Sequence, residues 1–507
     1  MAAPPGAGWP TESFARITAP LVPGGTCLKR KELAILLLLT VLALAVQGYH
    51  PYAEDAETYL PGVEKILDPH LFPFNAEFFE DHARATLFPK LMAASVRITH
   101  LPLDWAMLLW QTVSVFLFLL ACWRLSAKCS SDPRARWAGV ALLAVLLTLP
   151  VAGTALYIMD QYMNPRNLVA FATVFAVVRV LERRYLQAAL FLIFAAVMHP
   201  LMAVFAISYC LLLIAPWKLP GSGEVLASLL PWGTIFQPSS NAYHQVAQSH
   251  SYDYLLCWRW FEWLGIFAPI AILGGFAHWA RRGQRNALSL LCRALILYEL
   301  VWFGAALLLS IPRRFETLAR FQPMRSLYLL YVFLFLLGGI RLGEHVLKDR
   351  LWRWALLFLP LGAGMFLAQR SLFPASAHLE WPGAFPQNRW AQSFLWIREN
   401  TPLDAIFALD PSHKNIHGED TEGFRALAQR SMLADAAEDS GAVTMFPPLG
   451  EEWARQVEAQ HGWKEFQAQD FRRLHAEYGV NWVVLQQPGV AGLECPYQNQ
   501  AVQVCRL

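Results

Sequence analysis

Apolar residues gather in long runs between residue 32 and about residue 370, and thin out abruptly after that. The first run, ELAILLLLTVLALAVQG, is followed at once by YHPYAEDAETYL, which sets Glu54, Asp55 and Glu57 within a few residues of hydrocarbon. Further runs predict spans at roughly 104–123, 137–155, 166–182, 185–198, 201–217, 259–280, 287–311, 327–340 and 353–369. Several fall short of the ~20 residues of a straight bilayer crossing; a surrounding bundle shields the ends of such short helices. Between the first two spans, TYLPGVEKIL and RATLFPKLMAASVRI carry apolar residues at helical spacing. They read as two helices lying on the membrane surface. After about residue 371, NRWAQSFLWIRENTPLDAIFALDP reads as a helix, a Thr-Pro turn and a strand, and YGVNWVVLQQP as a turn and a buried strand. The pattern gives a polytopic α-helical membrane protein of about 10–11 spans, with a small C-terminal α/β soluble domain. Its divisions are a Pro- and Gly-rich tail at 1–28, a transmembrane part at 29–370 with a long outer loop at 49–103, and a soluble part at 371–507.

Composition agrees with that class. Of 507 residues, 56% are hydrophobic and 16% charged, against about 25% charged in soluble domains. The net charge of +3 is too small to suggest a nucleic-acid partner. Its distribution says more. Basic clusters recur at Lys29/Arg30/Lys31, Arg124/Lys128/Arg134/Arg136, Arg183/Arg184, Arg281/Arg282/Arg285 and Arg341/Lys348/Arg350/Arg353, and the positive-inside rule puts them all in the cytoplasm. The first loop holds Glu54, Asp55, Glu57, Glu64, Asp68, Glu77, Glu80 and Asp81 against Lys65 and Arg84, so it belongs outside. Ten spans starting inside would return the chain to the cytoplasm, yet the basic clusters place the C-terminal part outside. One crossing is therefore missing between 219 and 258. The apolar candidate is LASLLPWGTIF, which holds Pro231; a half-membrane segment at His199-Pro200 is the other repair.

Of eight cysteines, six are scattered singly along the chain. Cys495 and Cys505 bracket CPYQNQAVQVC, a tight turn leading into an alternating strand, and a hairpin there would bring their sulfurs together. Such a disulfide implies an oxidising compartment such as a bacterial periplasm; the alternative is a pair of free thiols. No Cys/His ligand spacing, Gly-rich phosphate loop or nucleophile elbow occurs, so a metal site of that type, an ATP-driven pump and a serine hydrolase find no support.

The acids at the exit of the first span, the long first loop with two surface helices, the many short spans and the outer C-terminal domain together resemble the GT-C integral-membrane glycosyltransferases. The phrases WIRENTPLDAIF and YGVNWVV look like the outer C-terminal domains of their bacterial relatives. The resemblance implies transfer of a sugar from a polyprenyl-phosphate donor to a glycan, lipid or protein acceptor, at the periplasmic face of a bacterial inner membrane. It implies a catalytic carboxylate after the first span: Asp55 fits best and Glu54 is its rival, because sugar transfer to an alcohol needs a base at headgroup level. The plainer reading makes Glu54, Asp55 and Glu57 a solvated helix start, favourable to the helix dipole. No cofactor is implied, and a divalent cation beside Asp55 is left open.

A lipid phosphate needs cations facing the same leaflet. Arg166 in MNPRNLVAF, and Arg313, Arg314, Arg320 and Arg325 before a later span, lie at predicted outer ends. Arg166, Arg320 and Arg325 are the candidates for the donor phosphate, against ordinary snorkelling. His199, the strongly polar residue of a long apolar run, either lines the cavity with Glu57 or bonds a neighbouring span. His413, His417, Glu419, Asp420 and Arg425 either touch an acceptor glycan or form a solvated loop. The tryptophans 258, 260 and 263 read as an interface belt. Two other functions remain open: a non-enzymatic flippase, export component or scaffold, and an O-antigen ligase or polymerase.

Overall fold

A computed structural model describes residues 28–214, 240–310, 318 and 320–507. The chain is a multi-pass membrane protein with a small C-terminal sheet domain. Among the described residues, five helices are long and apolar enough to cross a bilayer: Leu103–Cys129, Trp260–Arg282, Asn286–Leu309, Pro323–Leu347 and Leu351–Leu372. Shorter apolar helices at Tyr185–Met198 and Pro200–Ile214 join them. The expected crossing in LASLLPWGTIF, the tail 1–27 and Arg313 and Arg314 lie outside the described residues.

Helix α1 (Arg30–Gln47) opens where the Glu32 carboxylate accepts from Lys29 N at 3.0 Å, covering a free backbone donor. It stops at Gly48, whose φ of +83° suits glycine. A side chain there would meet His378 O at 2.8 Å. The close approach lets Tyr49 N donate to His378 O and Glu380 N donate to Tyr49 O, each at 3.0 Å. The exit of the first span is thus tied to the chain that follows the last one.

The first loop holds three helices where the sequence predicts two: α2 (Ala56–Leu67), α3 (Glu77–Ala85) and α4 (Phe88–Thr99). EFFEDHARA is too polar on average to look like a membrane-surface helix, but Phe78, Phe79 and Ala83 form a buried stripe along it. Helix α5 (Leu103–Cys129), 27 residues and about 40 Å long, is the longest described span. Next come α6 (Pro133–Val145), α7 (Pro165–Leu181), α8 (Tyr185–Met198) and α9 (Pro200–Ile214). Helix α6 meets helix Leu327–Leu342 through small residues: a Cβ on Gly339 would lie 2.6 Å from the Gly139 backbone, and one on Gly343 2.6 Å from Ala135. Dispersion over closely packed backbones, with no hydrophobic drive available in lipid, holds such a seam.

Members of four of the predicted basic clusters, Lys128, Arg184, Arg285 and Arg341, pair with two acids at one end of the bundle. Glu182 binds Lys128 at 2.8 Å and Arg179 at 2.7 Å; Glu344 binds Arg285 at 2.7 Å and accepts from Ser130 Oγ at 2.7 Å. Helix α9 heads toward this end, with Tyr209 OH donating to Leu291 O at 3.2 Å. The next described helix, Asn241–Ser249, packs instead against the C-terminal domain, where Tyr243 OH donates to Thr444 O at 3.1 Å.

The C-terminal sheet has five strands: β1 (Ile406–Ala408), β2 (Ser431–Met432), β3 (Trp482–Gln486), β4 (Glu494–Gln498) and β5 (Val502–Arg506), in the order β2-β1-β3-β5-β4. β1 runs parallel to β2 and β3, and β5 antiparallel to β3 and β4. The expected helix at Arg389–Asn400 precedes β1, and Cys495 and Cys505 form the expected disulfide across the last hairpin.

This domain is bolted to the first loop. The Glu57 carboxylate accepts from Gly423 N and from Phe424 N (2.8 Å), and pairs with Lys414 through its other oxygen. Lys414 also binds Glu438 at 2.7 Å. Gln429 donates to Glu64 at 2.9 Å, and Asn75 donates to Met432 O at 2.9 Å and to Gln456 at 2.7 Å. Glu57 is 5% exposed. Instead of lining an open cavity or starting a solvated helix, it is spent on backbone amides and a buried ammonium.

Lys414→Met should therefore leave the buried Glu57 carboxylate without its counter-charge. Breaking a buried ion network typically costs about 3–5 kcal/mol, so thermal unfolding of the purified protein should shift clearly downward. An unchanged melting profile would show that docking does not rest on this lysine.

Candidate functional site

The candidate site begins with backbone. Glu54 sits at φ +49°, an uncommon conformation for a residue with a side chain. Its N–H donates to Glu422 Oε2 at 2.6 Å, so the C-terminal domain holds the turn. The turn aims Asp55, the residue before α2, at the start of α7. There Asn164 caps the helix, its side-chain oxygen accepting from Asn167 N at 3.2 Å, and Pro165 occupies the first turn.

Arg166 projects from that turn between two carboxylates. Nη1 pairs with Asp55, while Nε and Nη2 donate to Asp160 Oδ2 at 3.2 and 3.0 Å. Asp160 is itself fixed to α5, because Gln111 Nε2 donates to its carbonyl at 2.7 Å and Asn167 bridges back to Gln111 Oε1 at 2.8 Å. Arg166 and Asp160 are nearly sealed, whereas Asp55 keeps 41% of its side-chain surface accessible. Its carboxylate therefore faces an open recess.

Arg325 enters from the turn before helix Leu327–Leu342. Its charge helps to keep Asp55 ionised. Its backbone N–H donates to Gln322 O at 2.9 Å, but its side-chain Nε is buried without a partner. His199 occupies the break between α8 and α9, where its Nδ1 accepts from Met202 N at 3.4 Å. Arg166, Arg325, Asp55 and His82 all lie within electrostatic reach of it. Arg320 is placed differently: its guanidinium stands 5.4 Å over the Phe321 ring, and no described contact brings it to Asp55.

Burial opposes ionisation of Asp55, but the Arg166 guanidinium, with help from Arg325 and His82, overrides it and holds the carboxyl at about 2. The neighbouring acids move the other way. Burial raises Glu54, with Asp55 and Asp160 adding to the effect. Burial and the nearby Glu54 raise Glu422 well above the usual range. Burial lifts Glu438 to about 8 despite Lys414. One firmly ionised carboxylate thus stands beside acids that hold their protons more tightly than usual. His82, on α3, is pushed down to about 4 by burial, only partly offset by Asp55, so its imidazole is neutral.

The sequence brought Asp55, Glu54, Arg166, Arg325 and His199 to attention, and the structure gathers them at one end of the bundle. It also adds Asp160, His82, Glu422 and Lys414. Asp160 had a legible signal, an acid six residues before Arg166 at a helix start predicted to lie outside. Glu422 and Lys414 had none, because they are more than 350 residues away from Glu54. In the loop expected to touch acceptor, Arg425 is instead sealed in a two-bond pair with Asp439 at 2.7–2.8 Å, His413 is 1% exposed, and Asp420 accepts from Ala375 N at 3.0 Å. Among the described residues, no group of three or more His, Cys, Asp and Glu side chains is placed to hold a metal ion.

No protein-family model matches the chain, and no curated protein matches it. Among solved structures it is similar to the arabinofuranosyltransferase AftD from Mycobacteria, determined by single-particle cryo-EM. The alignment covers 95% of this chain at 15% identity with a TM-score of 0.49. The chain spans 42% of that protein's length, less than half.

The neutral His82 gives a pH signature. Its folded value, about 4, lies below the ordinary 6.5. The unfolded state therefore binds the extra proton between those values, and stability present above pH 6.5 is lost as pH falls toward 4. His82→Gln cannot take that proton. Its melting temperature should fall less than that of the native protein between pH 6.5 and 4.5; parallel curves would remove His82 from the linkage.

Proposed function

We propose that this chain is a membrane glycosyltransferase that moves a sugar from a polyprenyl-phosphate donor to a glycan, lipid or protein acceptor, at the periplasmic face of a bacterial inner membrane. One observation carries the reading: the accessible carboxylate of Asp55 lies within electrostatic reach of Arg325, whose buried Nε has no partner, at the end of the bundle covered by the surface helices and the sheet domain. A scaffold that had lost its chemistry has no need to keep a buried guanidinium N–H without a partner, since an unmet polar group is costly to bury. An anion that docks at the recess supplies the missing partner.

The chemistry follows from the charges. The donor phosphate takes Arg325 and competes with Asp55 for Arg166. Glu438, pushed up to about 8, and the raised Glu54 and Glu422 oppose it less than ordinary carboxylates would. A carboxyl held at about 2 is a weak base, and base catalysis works best near the operating pH. Once phosphate draws Arg166 away, Asp55 loses the partner that held it down. It becomes a stronger base at the moment when donor is present. The acceptor hydroxyl then gives its proton to Asp55 as its oxygen bonds to the sugar's anomeric carbon, and polyprenyl phosphate leaves with the bonding pair. Asp160 keeps Arg166 anchored throughout.

Transfer from synthetic polyprenyl-phosphate pentoses and hexoses by the purified protein tests the assignment. Asp55→Asn, which retains size but not basicity, should lose activity by at least the ~10²-fold typical of general-base removal. Arg325→Ala should mainly raise the KM for donor and recover in part at higher donor concentration. Full activity in Asp55→Asn together with loss in Glu54→Gln would move the base by one residue. Full activity in both would end the enzymatic reading of this loop.

A further inference from the structure

A cavity of about 460 Å³ opens beside the same loop, at Pro51 and Tyr52. One wall belongs to the membrane part, Tyr52 and Asp104 at the start of α5; the other is the segment 376–388 after the last described span, together with Ala391 and Leu395 of helix Arg389–Asn400. The volume lies in the range of small-ligand sites, which favour such junctions between structural units.

Its lining has a definite chemical character. Trp381 and Phe385 stand 57% and 75% exposed beside it, too much apolar surface for residues that serve only to fill a core. Two carboxylates stand among them. Asp104 Oδ1 accepts from Tyr52 OH at 2.8 Å, and Glu380 Oε1 pairs with His50 at 2.8 Å. No described residue takes the second oxygen of either acid. No Arg, Lys or His lines the cavity. A phosphate or other anion would meet two negative charges and no counter-charge. An uncharged polyol instead gives its hydroxyl hydrogens to the free carboxylate oxygens and lays its C–H face on an indole.

Tyr52 also fixes the distance to the reaction. It lines this cavity, and Asp55, three residues on, faces the recess. An extended chain covers at most about 11 Å in three residues, so the two openings lie within the span of a short oligosaccharide. We infer that the cavity between Tyr52, Asp104, Glu380 and Trp381 is a subsite for an uncharged sugar unit of the acceptor, which holds that acceptor with its nucleophilic hydroxyl directed at Asp55. The inference rests on the transferase reading for its last clause and on the cavity alone for the binding.

The test separates the two. Saturation-transfer NMR on the full protein in nanodiscs, with a panel of neutral methyl pentofuranosides and hexopyranosides, reads binding without turnover. At least one glycoside should bind, and Trp381→Ala should weaken it on the order of tenfold, with Trp381→Phe recovering most of the loss. Asp55→Asn should bind the same glycoside normally, whatever its effect on transfer. In the transfer assay Trp381→Ala should raise the KM for acceptor and leave that for donor alone. The inference fails if no glycoside binds. It also fails if choline binds in their place with the same dependence on Trp381, which would make the site a pocket for a cationic headgroup. A third outcome against it is that Trp381→Ala alters only association with the membrane, which would make the residue an anchor.

Discussion

Arg166 is the pivot of this molecule. One guanidinium joins the first loop, through Asp55, to the start of α7, while Asp160 holds it against α5. The first residues to leave the membrane are thereby set against the middle of the bundle. The arrangement is polar and largely dehydrated, so its geometry matters more than its strength. A buried charge is tolerated where both its partners are in place and becomes a liability when one is lost. Here both partners are present, Asp160 nearly sealed and Asp55 still accessible.

The sheet domain belongs to the same construction. Glu57 holds two amides at the start of the short helix Phe424–Ala428, and Gly423 lies so close to Tyr52 that a side chain would come within 2.8 Å of its Cβ. Glu422, next in line, accepts from the strained Glu54 turn. The domain therefore shapes the loop in which Asp55 is set. Strained backbone of this kind persists where surrounding contacts over-determine it.

Much of this was legible in the sequence, and for a physical reason. Apolar run length and charge asymmetry report on partition between lipid and water, which each segment obeys on its own. The membrane helices, the basic end and the acidic first loop followed from them, and hairpin chemistry gave Cys495 and Cys505. Pairing across long separations leaves no local mark. Glu57 looked like an ordinary helix-start acid because its partners lie near residue 420. Arg320 and Arg325 looked equivalent because five residues of a turn decide which one faces Asp55. Helix α3 escaped notice because its apolar stripe is only three residues long.

The bridge between Tyr49 and the segment His378–Glu380 has a consequence in time. A ribosome delivers Tyr49 more than three hundred residues before its partners. Throughout that interval the exit of the first span has neither its backbone bonds nor the amides that Glu57 will hold. The acids of the first loop must wait in water for the end of the chain. The geometry around Asp55 is thus among the last features to form, so a chain still lacking its C-terminal domain has the membrane helices without the contacts that set the first loop.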